Sequence, residues 1–315
     1  MKRTSLLLFP VLLLSVCFSQ TLDDLVAGPL TGHTFVPEAG KFNISSELAF
    51  LSSISEFNED GNEKTFKDNV YGFAEPELSI SVLALKGAYA LTRNVGIAIS
   101  VPLILTRDLV MNPDPGFEPF FQDLSGQTGL GDMALGGWLQ LMKSEIICLQ
   151  ASVGYTLATG SSIEDTDSTN VSPTGSGHTS IDAGFAADLM LATNILVSAA
   201  AGYSLNQEAR YSYEGDSWKQ KDGNEIGFST RVTVLAMPRL ALGVDIDYIS
   251  VGERRIDGET IEDSNVKFVG LAPRAGYQLS AGALTVNINT GYLLTLLGTN
   301  YPKMSGLSLG ALITF

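Results

Sequence analysis

Catalytic chemistry in this chain has few residues to work with. Between Gln20 and Phe315 there are two histidines, His33 and His178, and one cysteine, Cys148. His178 leads the run His178-x-Ser180-x-Asp182. A base, a hydroxyl and a carboxylate are the parts of an activated nucleophile. Period-two spacing puts all three on one face of a strand. Such a set can attack a lipid only from the face that meets lipid. Asp165-Thr166-Asp167 with Asn170 supplies clustered oxygens, but lacks the glycine and terminal glutamate of a calcium loop. Gly129-Leu130-Gly131-Asp132 has no strand–helix–strand unit around it and is no nucleotide fingerprint. No cofactor, metal site or enzymatic activity is expected.

Ten charged residues are more informative, because they interrupt otherwise apolar or small-residue segments at regular parity. They are Glu47, Lys86, Asp132, Asp182, Asp188, Glu225, Arg231, Asp245, Asp247 and Arg274. The elements that must position them are strands. Alternation of apolar with small or polar residues recurs at roughly 41–51, 77–91, 95–104, 129–142, 145–158, 178–191, 195–206, 223–236, 239–251, 266–280, 283–294 and 305–315. In the ninth, Leu240, Leu242, Val244, Ile246 and Tyr248 alternate with Ala241, Gly243, Asp245 and Asp247. The ten charges fall on the small-residue parity.

The connections alternate in length. Short turns lie at Thr92-Arg93-Asn94, Lys143-Ser144, Thr193-Asn194, Met237-Pro238-Arg239 and Ala281-Gly282; long polar loops lie near 52–76, 105–128, 159–177, 207–222, 252–265 and 295–304. This asymmetry, with a mean hydropathy of +0.19 and 17% charged residues, predicts an all-β, antiparallel, up-and-down transmembrane barrel of about twelve strands in a Gram-negative outer membrane. A helical hairpin over 181–205 is the rival. It would bury Asp182 and Asp188 in lipid at about 2.5–3.5 kcal/mol each, whereas in strands both acids face the lumen. That parity also puts His178 and Ser180 in the lumen, the wrong face for a lipid hydrolase.

The chain begins with a secretory signal: Lys2 and Arg3, an apolar run Leu6 to Val16, then Cys17-Phe18-Ser19. The run is too short to span. Val16 is too bulky to precede a lipidated cysteine. The expected organisation is a signal peptide at 1–19, a periplasmic segment or lumen plug at 20–40, and the barrel at 41–315. Cleavage after Ser19 leaves 17 bases against 34 acids, a net charge of −17. This acidic balance argues against nucleic acid or anionic lipid as a partner.

Tyr155, Tyr203, Tyr248 and Tyr292 each lie nine or ten residues beyond a short turn on the apolar parity, and predict an aromatic girdle facing lipid at one height. Leu307, Leu309, Ala311, Ile313 and Phe315 share one parity, so the last strand ends on the aromatic that barrel-insertion machinery recognises. The turn at 237–239 predicts Arg231 opposite Asp245. The turn at 281–282 predicts Arg274 opposite Asn289. Inward positions are mostly small, and twelve strands enclose more than eight can fill. The lumen is therefore expected to hold water, solute or a plug. Seven acids against three bases predict a weak cation preference.

Gly129-Leu130-Gly131-Asp132, Ala158-Thr159-Gly160 and Pro173-Thr174-Gly175-Ser176-Gly177 resemble the MetA-pathway phenol-degradation outer-membrane family. The resemblance implies uptake of small, often aromatic, compounds and assigns no binding residue. The expected function is a passive channel for small solutes. A closed structural or adhesive barrel is the alternative, and an outer-membrane hydrolase a remote one.

Overall fold

The computed structural model describes residues 26–66, 76–112, 114–115, 124–162, 174–213, 216–281 and 284–315. Residues 1–19, expected as a signal peptide, Asp165 to Asn170, Pro173 and Gly282 lie outside them. Twelve strands form the wall: β1 Phe42–Ser53, β2 Glu77–Ala90, β3 Val95–Val110, β4 Met133–Lys143, β5 Ile147–Leu157, β6 Ser180–Ala192, β7 Ile195–Asn206, β8 Glu225–Met237, β9 Leu240–Val251, β10 Val266–Ala281, β11 Leu284–Thr299 and β12 Ser305–Thr314. Each pairs antiparallel with its chain neighbours. β1 closes on β12, from Asn43 opposite Thr314 to Ser52 opposite Ser305. Closure leaves no free sheet edge, which is what lets strands cross lipid.

The period-two pattern explains the two surfaces. Ile97, Ile99, Val153, Phe185, Phe228, Val244, Ile246, Leu307 and Leu309 are exposed on the outer face. A continuous exposed apolar belt is untenable in water and matches the lipid-facing band of a membrane barrel. Inward positions between them are mostly small or polar, with Trp138, Leu196 and Leu235 among the exceptions. Among the described residues no helix is long and apolar enough to cross a membrane; the crossing is made by strands.

Several boundaries differ from the sequence pattern. β3 extends to Val110, and β4 starts at Met133 rather than 129. Pro102 stands inside β3 without an N–H to give the ladder. Its carbonyl accepts from the Gly131 N–H, and Gly129 and Leu130 pair separately with Ile104 and Leu103. Parts of the long loops are themselves ordered as short strands. Ala209–Tyr213 and Asp216–Lys221 form a hairpin that continues into Arg255–Ile256 and Glu259–Thr260. Ser55–Phe57 pairs with Glu63–Thr65 and with Tyr301–Pro302. These runs are two to six residues long, too short for alternation to give a signal, although Phe57 and Tyr211 within them are buried.

Candidate solute pathway

Residues 26–38 run inside the barrel, at the end that carries the short turns. Val26 and Leu30 pack with Cys148, Leu196, Leu235 and Ala241 in a small apolar core, with Phe35 and Met190 against it. Polar wall residues bind the segment's backbone. Gln278 Nε2 donates to Ala27 O at 3.0 Å, Asn287 Nδ2 to Gly28 O at 3.1 Å, and Arg231 Nη1 to Thr31 O at 2.9 Å. Asp188, fully buried, accepts from His33 N at 3.0 Å, Thr34 N at 2.8 Å and the Thr34 hydroxyl. A Cβ on Gly32 would collide with that carboxylate, so only glycine lets the chain come this close.

Three cavities lie along the lumen. The central one, about 770 Å³, is lined by Leu30 to Gly32, His33 and Phe35 and by inward residues of all the wall strands except β9. At the long-loop end a cavity of about 420 Å³ is lined by His178, Ser180, Asp182, Asp222, Glu225 and Arg254. At the short-turn end one of about 310 Å³ is lined by Val26, Ala27 and Thr34 to Glu38. Phe35 borders both the central and the short-turn cavities. The segment therefore divides the lumen between them.

The ten charges separate into distinct settings. Glu47, Lys86, Asp182, Arg231 and Arg274 line the central cavity. Asp245, buried, is bonded by Arg231 through Nε and, at 2.8 Å, Nη2, and by Arg274 Nε at 2.7 Å. Arg274 Nη1 also reaches Glu47 at 3.1 Å. The result is a chain of alternating charge, Arg231–Asp245–Arg274–Glu47, across the lumen. Asp188 holds the segment. Asp132 is drawn into the loop end, accepting from Gly160 N and from Ser176 N and Oγ. Glu225 lines the mouth, and Asp247 lies beside Gly270 on the wall.

Arg231 lies opposite Asp245 in the ladder. Arg274 lies opposite Gly291, and Asn289 opposite Gly276, which corrects the expected pairing by two residues. The reason is the turn. β10 runs through Ala281 and β11 begins at Leu284, so the reversal falls one residue later than 281–282.

Tyr155, Tyr203 and Tyr292 are exposed, and Tyr248 is half-buried against Phe228. Tyr155 pairs with Ile181 and that with Leu205, two residues past Tyr203. Tyr203 pairs with Ile226 and that with Ser250, two past Tyr248. A drop of one residue per strand is the slope of constant height in a barrel tilted roughly 35–45°. Tyr248 pairs with Val269 and that with Leu297, five past Tyr292. Tyr292 therefore sits lower than the other three.

His178 and Ser180 share the mouth cavity but not a hydrogen bond. The Ser180 hydroxyl donates to Asp182 at 3.0 Å, and His178 Nδ1 lies 3.5 Å from Asp222. Thr34 and Phe35 carried no strand signal, and the sequence pattern missed them. Their one trace was an apolar run, Phe35-Val36, inside an otherwise turn-rich segment.

Residues 31–310 match the family model described as "Putative MetA-pathway of phenol degradation". The chain belongs to this family. The match begins within the lumenal segment, so the family pattern includes its Thr31 to Phe35 run. Among solved structures, the chain is similar to the COG4313 outer membrane channel from Pseudomonas putida F1, with 17% identity, a TM-score of 0.69, and coverage of 90% of this chain and 98% of that one. It is also similar to the translocator domain of the autotransporter NalP from Neisseria meningitidis, with 9% identity, a TM-score of 0.50, and coverage of 90% and 89%. No curated protein matches the sequence. The fold of this MetA-pathway family member is thus that of outer-membrane barrels, and its apolar belt fits it to a Gram-negative outer membrane.

Proposed function

We propose that this barrel is a passive outer-membrane channel for small solutes, aromatic and hydrophobic ones among them. The observation that carries the reading is the central cavity: about 770 Å³ of space walled by small residues and divided from the short-turn end by one docked segment. That volume suits a single small molecule. The aromatic preference is taken from the family's description, and the channel reading is supported by the outer membrane channel to which the fold is similar. In this reading residues 1–19 are a cleaved signal, residues 20–40 restrict the periplasmic exit, and residues 41–315 are the barrel. Lipid surrounds the outer belt, and the strand ending at Phe315 is the address for the insertion machinery. Nucleic acid is no partner.

The docked segment also favours a second reading, a closed barrel whose acidic loops are the working surface. Planar-bilayer conductance on refolded protein separates the two. A channel conducts, and deleting residues 26–36 raises its conductance. A barrel silent in both forms is structural. Catalysis is not part of the proposal, because His178 and Ser180 are not joined as base and nucleophile.

A further inference from the structure

We propose that the central cavity contains a subsite for a small aromatic carboxylate, with the Lys86 ammonium holding the carboxylate and Trp138 lying against the ring. The proposal rests on the channel reading and adds to it the chemical class of the solute.

Of the three cations lining the cavity, two are committed. Arg231 is bonded to Asp245 and to Thr31 O; Arg274 is bonded to Asp245 and Glu47. Lys86 is exposed to the lumen and makes no hydrogen bond or ion pair among the described residues. The carboxylates that could neutralise it are engaged elsewhere. Glu47 faces Arg274, and Asp182 accepts from the hydroxyls of Thr156 at 2.9 Å and Ser180 at 3.0 Å. An unpaired ammonium between low-dielectric walls is a standing attraction for an anion. Lys86 is flanked in the ladder by Ser45 on β1 and Ser100 on β3, which line the same cavity and offer hydroxyl donors.

Trp138 supplies the other half. It lines the cavity from β4, opposite Gly96 on β3. Any Cβ on Gly96 would collide with the six-membered part of the indole, so glycine here lets the ring lie against the wall. The indole lies over Gly96 and lines the cavity, where a solute can meet it. Ser100, beside Lys86, is four residues from Gly96, beside Trp138: about 13 Å along β3, with two strand spacings of about 4.8 Å across it. The indole reaches over Gly96, and the long, unpaired Lys86 side chain can turn along β3 toward it, which narrows the span. A single ring bearing a carboxylate spans such a gap, and planar solutes stack on indole.

The chain has two tryptophans, so Trp218→Phe leaves Trp138 as sole reporter. Benzoate titrated into that refolded protein should quench Trp138 emission saturably. Lys86→Gln should weaken the apparent affinity by about tenfold or more, as expected for loss of a charge-assisted bond, and Lys86→Arg should restore it. Benzyl alcohol, with the ring alone, and acetate, with the charge alone, should each bind much more weakly. Equal quenching in Lys86→Gln, or none in any variant that runs as a folded barrel on gels, overturns the subsite. The readout needs no current: saturable quenching in a non-conducting barrel refutes the channel and leaves the subsite standing.

Discussion

The three bonds on Asp188 allow a quantitative test of the lumenal segment. Thr34→Val removes the hydroxyl donor and keeps the side-chain shape. A hydrogen bond to a charged acceptor contributes about 1.5–3 kcal/mol net. The ratio of docked to undocked segment should therefore fall roughly 10- to 150-fold. Asp188→Ala removes the acceptor of all three bonds and leaves the His33 and Thr34 N–H groups without it. It should undock the segment in most molecules. The barrel itself should lose far less, because Asp188 forms no salt bridge among the described residues and its removal also removes a buried charge. Two assays read the result: chymotryptic cleavage at Phe35, protected only when docked, and single-channel conductance. Asp188→Ala should approach the conductance of the 26–36 deletion, with Thr34→Val between it and the parent protein. Full protection of Phe35 with unchanged conductance in Asp188→Ala would refute the reasoning.

Three further outcomes are expected. Arg231→Ala should destabilise the barrel by about 1–3 kcal/mol, below the 3–5 typical of a broken buried pair, because Arg274 still holds Asp245; a double-mutant cycle with Asp245→Asn that shows no coupling would contradict the ladder register. Small-ion selectivity should be weakly cationic, since Asp182, Asp222 and Glu225 outnumber Arg254 at the mouth, and should fade as salt shortens the screening length from about 30 Å to about 10 Å; an anion-selective reversal potential would overturn it. His33, whose pKa is pushed below its usual value by burial and then by Arg231, against the opposing pull of Asp188, Asp245 and Asp247, favours docking when neutral. Docking strength is therefore full above about pH 6.5 and declines as pH falls below that value toward the depressed pKa; conductance that is flat across this range, or equally pH-dependent in His33→Gln, would count against it.

The wall was legible because the strand period is two and one surface meets lipid. Every error of face would have put Asp182, Asp245 or Arg274 into hydrocarbon, so parity was strongly constrained. Register was less so. Arg231 and Asp245 were placed correctly because Pro238 marks the turn, whereas Ala281-Gly282-Ala283 offers no such mark and Arg274 was misplaced by two. The lumenal segment could not be read at all in detail. Apart from the Thr34 hydroxyl and the packing of Val26, Leu30 and Phe35, it is held by hydrogen bonds between its backbone and Asp188, Arg231, Gln278 and Asn287, and backbone atoms have no signature in sequence. The committed pairs of Arg231 and Arg274, which leave Lys86 without an ion pair among the described residues, likewise depend on which strands closure brings across the lumen.

Attachment of the lumenal segment to β1 has a mechanical consequence. Gly40, at a φ of +80°, joins the two, and Gly40 N is bonded to Ala90 O. A pull on the N-terminus from the periplasm loads the docked segment first, through bonds that break a few at a time. Drawn out, the fifteen residues from Val26 to Gly40 reach roughly 50 Å, and the slack is that length less the distance the docked segment already spans. Only then does tension reach the seam, where it would peel Phe42 from Phe315 and unzip β1 from β12 rung by rung. The segment thus works as a fuse in series with the weakest direction of the barrel. Force spectroscopy from the N-terminus should show a small early release of that slack, absent from Asp188→Ala, before the rupture of the wall.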